Sequence, residues 1–155
     1  MDNVTLGLDE PIESSVRISA KADYAVRAVI ELAAAPEGAN VSAREIASAQ
    51  DIPQNFLENI LAELRRAGIV HTHRGPGGGS SLARPAETIT VGEILLAIDG
   101  PLAAVRDLAP EQLVYEGAAH RLPEVWCQVQ TALHELLDGV TAADLAWGST
   151  PSAKI

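Results

Sequence analysis

Cys127 is the only thiol in this 155-residue chain. The sequence therefore forms no internal disulfide and cannot by itself furnish a cysteine-based zinc or iron–sulfur site. A lone helical cysteine has two readings. It is a small packing residue, or it is a redox switch that acts through sulfenylation or a bond to its mate in a second copy. His134 stands two helical turns further on, too far to share one ion directly with Cys127. His71 and His73 alternate along a strand-like stretch. They could bind metal or titrate near neutral pH, and the plain alternative is that they face solvent or phosphate. The serines, histidines and aspartates form no hydrolase nucleophile motif, and there is no Walker loop or dinucleotide fingerprint. The expectation is a chain with no enzymatic activity, no cofactor and no metal site.

Two other groupings suit recognition better than catalysis. Gln54, Asn55, Glu58 and Asn59 lie on the polar side of an amphipathic segment. Amides of this kind pair with adenine, and a carboxylate accepts from cytosine N4. Arg74 leads into the string GPGGG, in which Gly75, Gly77 and Gly78 allow close backbone approach. Arginine is favoured in narrow minor grooves, where negative potential is focused. Arg65 and Arg66 close the same amphipathic segment; they suit the helix dipole there, and a phosphate contact is a second role. The alternative for the whole set is an ordinary polar helix face followed by an ordinary hairpin turn.

Charge limits how such a protein could meet a polyanion. The net charge is −10, yet residues 16–85 carry eight bases against seven acids, while both flanks are acidic. Any DNA binding must then come from a few well-placed arginines and not from a broad basic surface. No apolar run approaches the roughly 20 residues of a membrane span, and no basic stretch followed by an apolar core marks a secretory signal. Nine arginines against two lysines, with many alanines, read as a cytoplasmic bacterial protein.

The elements that position these residues can be read from caps and periodicity. Ser19 caps a helix running to about Ala35, stopped by Pro36 and Gly38. Ser42 and Glu45 form a capping box for a short helix that breaks near Asp51. Pro53 suits the first position of a third helix, with Phe56, Leu57, Ile60, Leu61 and Leu64 as its buried face and Gly68 as its end. Residues 69–74 and 80–84 pair as two short strands around RGPGGG. Thr90 and Glu93 read as a second capping box, opening a helix that ends at Gly100–Pro101. Residues 101–122 are poorly patterned, with one short helical piece. Residues 123–138 form the clearest later helix, with Val125, Trp126, Val129, Ala132, Leu133, Leu136 and Leu137 as one wide apolar stripe. Residues 141–147 form a short closing helix. Helix, short helix, capped helix and hairpin in that order specify a winged helix-turn-helix, a mainly α fold with a small β-hairpin wing.

The strings VRISAKADYAVRAVIELA, EIASAQDIPQNFLENILAELRRAGIV, RGPGGGSSLARP, ITVGEILLAIDGPL and EVWCQVQTALHELLDGVTAADLA together resemble the IscR/NsrR/CymR (Rrf-two) family of bacterial regulators. The resemblance spans about residues 16–103 and resumes at Glu124. It implies a winged helix-turn-helix domain at 16–100, a loop at 101–122 and a dimerisation helix with its closing short helix at 123–148. A flexible acidic arm at 1–15 and a tail at 149–155 flank them. It implies a homodimeric repressor on a double-stranded DNA operator, and it allows a protein co-repressor. The family pattern falls on Pro53, Asn55, Phe56, Glu58 and Asn59 of the recognition helix, on Arg74 and its glycines, and on Ser19 and Lys21 as a phosphate-side motif. Phe56 stands where tyrosine is common and Ser80 where an aromatic is common. Cluster-binding relatives carry three cysteines in the loop before the long helix. The corresponding stretch here has none, so a cluster-free member is expected, the alternative being a cluster bridged between subunits by Cys127, His120 and acids. Relatives begin near the position of Val16, which leads us to expect a valine start with residues 1–15 as an upstream extension.

Overall fold

A computed structural model describes residues 18–148; the arm at 1–15 and the tail at 149–155 lie outside the described residues. Its helices are α1 (Ala20–Ala34), α2 (Ala43–Gln50), α3 (Gln54–Arg66), α4 (Val91–Asp99), α5 (Leu122–Asp138) and α6 (Ala142–Trp147). The antiparallel pair β1 (Val70–His73) and β2 (Gly79–Leu82) stands between α3 and α4. Single 3₁₀ turns occur at Ala86–Thr88, Pro110–Gln112 and Gly117–Ala119, so the stretch before α5 has two such turns where one helical piece is expected. The fold is mainly helical with a two-stranded wing.

Helix starts follow local chemistry. Ser19 Oγ accepts from the Ala22 N–H at 2.9 Å. Ser42 Oγ accepts from the Glu45 N–H at 3.1 Å, and Glu45 returns a carboxylate oxygen to the Ser42 N–H at 2.8 Å. Each such bond satisfies an amide with no partner inside the helix. Pro53 is the cap of α3 and not its first residue. The second expected box is half formed. Thr90 Oγ1 accepts from the Glu93 N–H, but the Glu93 carboxylate is taken by Arg84, which also donates to the Thr88 carbonyl. A cation from the loop before α4 thereby outcompetes the local acceptor role.

α1 is the axis of the protein. Ala22, Ala25, Ala28 and Val29 on it are fully buried, and α2, α3, α4 and α6 all pack against it. Leu57, Ile60, Leu61 and Leu64 of α3 complete the core with Ile46, Ile69, Val70, Ile89 and Ile94. Burial of the inward faces is the main stabilising term. The closing helix α6 belongs to this core: Ala142 and Ala143 are buried in it, and α6 lies on α1. A capping box between Thr141 and Asp144 starts α6. The Ala142 N–H donates to the Ile89 carbonyl at 2.8 Å and the Val91 N–H to the Val140 carbonyl at 2.9 Å, which ties the entries of α6 and α4 together.

The wing is held from a third side. Val41 and Ser80 exchange backbone hydrogen bonds of 2.9 and 2.8 Å, so the segment before α2 extends the hairpin. Ser80 is buried there, 3% exposed. Gly79 makes the approach possible: a Cβ on it would lie 2.6 Å from the Val41 carbonyl oxygen, and its φ is +146°. Gly79→Ala is therefore expected to cost about 1–3 kcal/mol, and amide exchange should report the loss as early opening of Ser80.

The Ser42 N–H, and after it the Ser42 hydroxyl, favour the charged form of the Glu45 carboxyl and hold it below its ordinary value of 4.5. With the folded pKa depressed, the box stabilises α2 above that ordinary value and is lost as pH falls through the lower folded one. Ser42→Ala should cost about 1 kcal/mol at neutral pH. Acid-titrated melts should show that the Glu45 share of the variant's deficit shrinks toward low pH.

Candidate nucleic-acid interface

The turn from α2 to α3 is short. Asp51 adopts a left-handed conformation with φ of 52°, Ile52 is buried, and Pro53 starts the next helix. Burial of Leu57, Ile60, Leu61 and Leu64 then fixes the roll of α3. Gln54, Asn55, Glu58, Asn59, Arg65 and Arg66 are left exposed. Phe56, expected in the buried face, is instead 37% exposed at its edge. It meets Tyr24 of α1 edge-to-face, with ring centres 5.7 Å apart. Four inward positions already fill the space beneath α3, and the aromatic is left to seal the flank.

The wing lies on the same side. Glu58, Leu61, Ala62 and Arg65 of α3 line one open cleft of about 230 Å³ with Thr72, Gly79 and Ser80 of the hairpin. At the hairpin tip the Gly78 N–H donates to the Gly75 carbonyl at 2.9 Å. A Cβ at Gly78 would lie 2.4 Å from the His73 carbonyl oxygen, so the turn excludes any larger residue. Asn40 donates to the Gly77 carbonyl at 3.3 Å and anchors the tip to the segment before α2. That anchor carries no local sequence signal. Arg74 leads this tip and is exposed.

Charge pairing separates the cations into two groups. Lys21 bonds Glu63 at 2.5 Å, Arg27 bonds Asp23 at 3.0 Å, Arg84 bonds Glu93, and Arg121 bonds Glu124 at 3.2 Å. Arg27 also donates to the Gln50 carbonyl and lies over the Tyr24 ring, which ties α1 to the end of α2. Arg44, Arg65, Arg66, Arg74 and Arg106 make no ion pair among the described residues, and Arg106 lies over the Tyr115 ring. Three of these five lie on α3 and the wing. Ser19 and Lys21 sit differently from the rest of the expected set. Ser19 Oγ donates to Asp99 Oδ1 at 2.7 Å while capping α1, and Lys21 Nζ is held by Glu63 of α3. Neither position of Glu63 nor that of Asp99 is inferable from local pattern.

The apolar stripe of α5 divides in two. Leu133 and Leu137 pack on Ala22, Leu95 and Leu102, and Trp126 is half-buried. Val125, Val129 and Leu136 are 46%, 39% and 58% exposed on the other side. Cys127 is half-buried on the helix. Among the described residues no three histidine, cysteine or carboxylate side chains gather as a metal site. No helix of the described residues is long and apolar enough to cross a membrane.

Comparison with known proteins agrees with this geometry. The Rrf2 family, described as iron-dependent transcriptional regulators, matches residues 18–147. A Mycobacterium tuberculosis protein, Rv1287, provisionally described as an HTH-type transcriptional regulator, is 44% identical over 136 residues, covering 88% of this chain and 84% of its own length. The HTH-type transcriptional regulator CymR of Bacillus subtilis is 34% identical over 131 residues, covering 84% of this chain and 90% of its own. The solved structure of that CymR, the global cysteine regulator of B. subtilis, superposes with a TM-score of 0.70 over 84% of this chain and 96% of that one. The structure of T. potens IscR does so at 0.69, with 30% identity, over 90% and 92%. These relatives are regulators and not enzymes. The chain belongs to the Rrf2 family of winged-helix, DNA-binding transcription regulators.

Proposed function

We propose that the protein is a homodimeric repressor that occludes an operator in the cytoplasm, and that it works without an iron–sulfur cluster. The observation that carries the reading is the pairing pattern. In a chain of net charge −10, acids hold four of the six other described cations, whereas Arg65, Arg66 and Arg74 make no ion pair on the side that presents Gln54, Asn55, Glu58 and Asn59. In this reading α3 enters the major groove and its amides and carboxylate meet base edges. Arg74 follows the narrow minor groove beside it, where Gly75, Gly77 and Gly78 let the backbone come close. Arg65 acts on phosphate. Ser19 and Lys21 brace the phosphate side, Lys21 through the protons that Glu63 leaves free.

Val125, Val129 and Leu136, with Ala132 between them, form an outward apolar seam at the spacing by which two helices pair. A second copy covers it in this reading, with Trp126, Leu133 and Leu137 supporting the helix from within the protomer. Pairing sets the two α3 helices about 34 Å apart, one turn of duplex. The absence of a cluster rests on one cysteine in the whole sequence, against the roughly four ligands a cluster needs. The residues present do not fit the iron-dependent chemistry of the family description, and a colourless, iron-free anaerobic preparation is the matching outcome.

Titration of the full chain against DNA bearing a selected operator tests the reading. Binding should weaken steeply with salt. Arg74→Ala should lose about tenfold in affinity on sites with AT-rich flanks and keep its base preferences in the major groove. Unchanged affinity would remove the wing from the interface. Val129→Lys with Leu136→Lys should convert the dimer to a monomer in sedimentation and abolish tight operator binding while leaving the melting of the core nearly unchanged. A doubly substituted protein that still sediments as a dimer would place the interface elsewhere.

A further inference from the structure

The exposed face of α3 contains one internal hydrogen bond. Gln54 Nε2 donates to Glu58 Oε1 at 3.2 Å, one helical turn on, and both side chains are exposed. An ionised carboxylate only accepts, so the contact settles which end of the Gln54 amide turns toward Glu58: the nitrogen. The amide nitrogen has a second proton. When the proton pointing away from Oε1 is spent on Glu58, Oε1 and the remaining proton form one flat acceptor–donor edge. In the major groove adenine alone presents the matching pair, an N6 amino donor beside the N7 acceptor. Guanine offers two acceptors there, which match half of that edge.

We propose that Gln54 and Glu58 form one reading unit, in which Glu58 is a positioning residue that fixes the Gln54 amide so that Gln54 selects adenine at one position of each half-site. This rests on α3 being the helix that enters the groove. Glutamine is long and rich in rotamers, so a free one loses much freedom on binding. The bond to Glu58 removes part of that loss beforehand and fixes the polarity of the amide. Glu58 also lines the cleft shared with Arg65 and the wing. A merely stabilising pair on the helix surface would share the geometry and would leave base preference untouched when broken.

The experiment selects operators from random duplex DNA with the full-length protein. Each adenine of a half-site is then replaced in turn by 7-deazaadenine, which keeps the pairing with thymine and removes the N7 acceptor. Competition binding compares the unaltered protein with Gln54→Ala, Glu58→Ala and Glu58→Gln, all folded by thermal melting. We expect one adenine per half-site at which the replacement weakens the unaltered protein about tenfold. Gln54→Ala should be insensitive to that replacement. Glu58→Ala should lose most of the discrimination at the same adenine, and Glu58→Gln, which keeps an acceptor oxygen, should retain most of it. Full discrimination by Glu58→Ala at the Gln54-dependent adenine would overturn the coupling, as would base preferences unchanged in Gln54→Ala. Placement of α3 in the groove fails separately, if no sequence is enriched or if Asn55→Ala and Asn59→Ala also bind the selected DNA as the unaltered protein does.

Discussion

The close approach of four helices to α1 is the constraint on which the rest depends. A helix that must receive neighbours on several sides can do so only with small side chains at the points of contact. α1 meets this with Ala22, Ala25 and Ala28, all fully buried, and with larger residues, Val29 and Leu32, where there is more room. α3 is seated on α1 by Leu57, Ile60, Leu61 and Leu64, and its outward face is whatever those four leave over. The direction in which Gln54, Asn55, Glu58 and Asn59 point is thus a packing result. Lys21–Glu63 and Tyr24–Phe56 bind the same two helices at their edges, one by charge and one by an aromatic contact.

Electrostatics act at a second level. The chain is acidic, and four of its nine described cations are held by carboxylates. Such partly exposed pairs contribute little to stability. Their larger effect is on where positive potential remains. Three of the five described cations without an ion pair fall on α3 and the wing, which concentrates positive charge there in a protein whose total charge repels a polyanion.

Much of this was legible in the sequence, and what was legible was local. Ser19, Ser42 and Thr90 each mark a helix start through a bond to an amide three residues away, and the glycines after Arg74 mark the hairpin. What depended on distant partners was not. The Glu93 carboxylate leaves its expected place because Arg84 arrives from the loop before it. The seven apolar positions of α5 read as one stripe, because a residue facing its own core and one facing outward obey the same preference; only the position of α4 divides them. Phe56 looked like core for the same reason. α6 carried a clear start but no indication that it returns to α1, and Asn40 gave no hint that it holds the wing. That Gln54, Asn55, Glu58 and Asn59 share the exposed side of α3 could be read from spacing, whereas the pairing state of each arginine required three dimensions.

The return of α6 to α1 has a mechanical consequence. α5 is fastened at its far end, since Val140 and Ala142 are stitched to the entry of α4 and Thr90 bonds Asp138. A helix clamped in this way behaves as a stiff beam and not as a tether. Torque applied along it passes into the body that carries α3. Any stimulus that works through α5 must therefore move the whole body and not one helix alone.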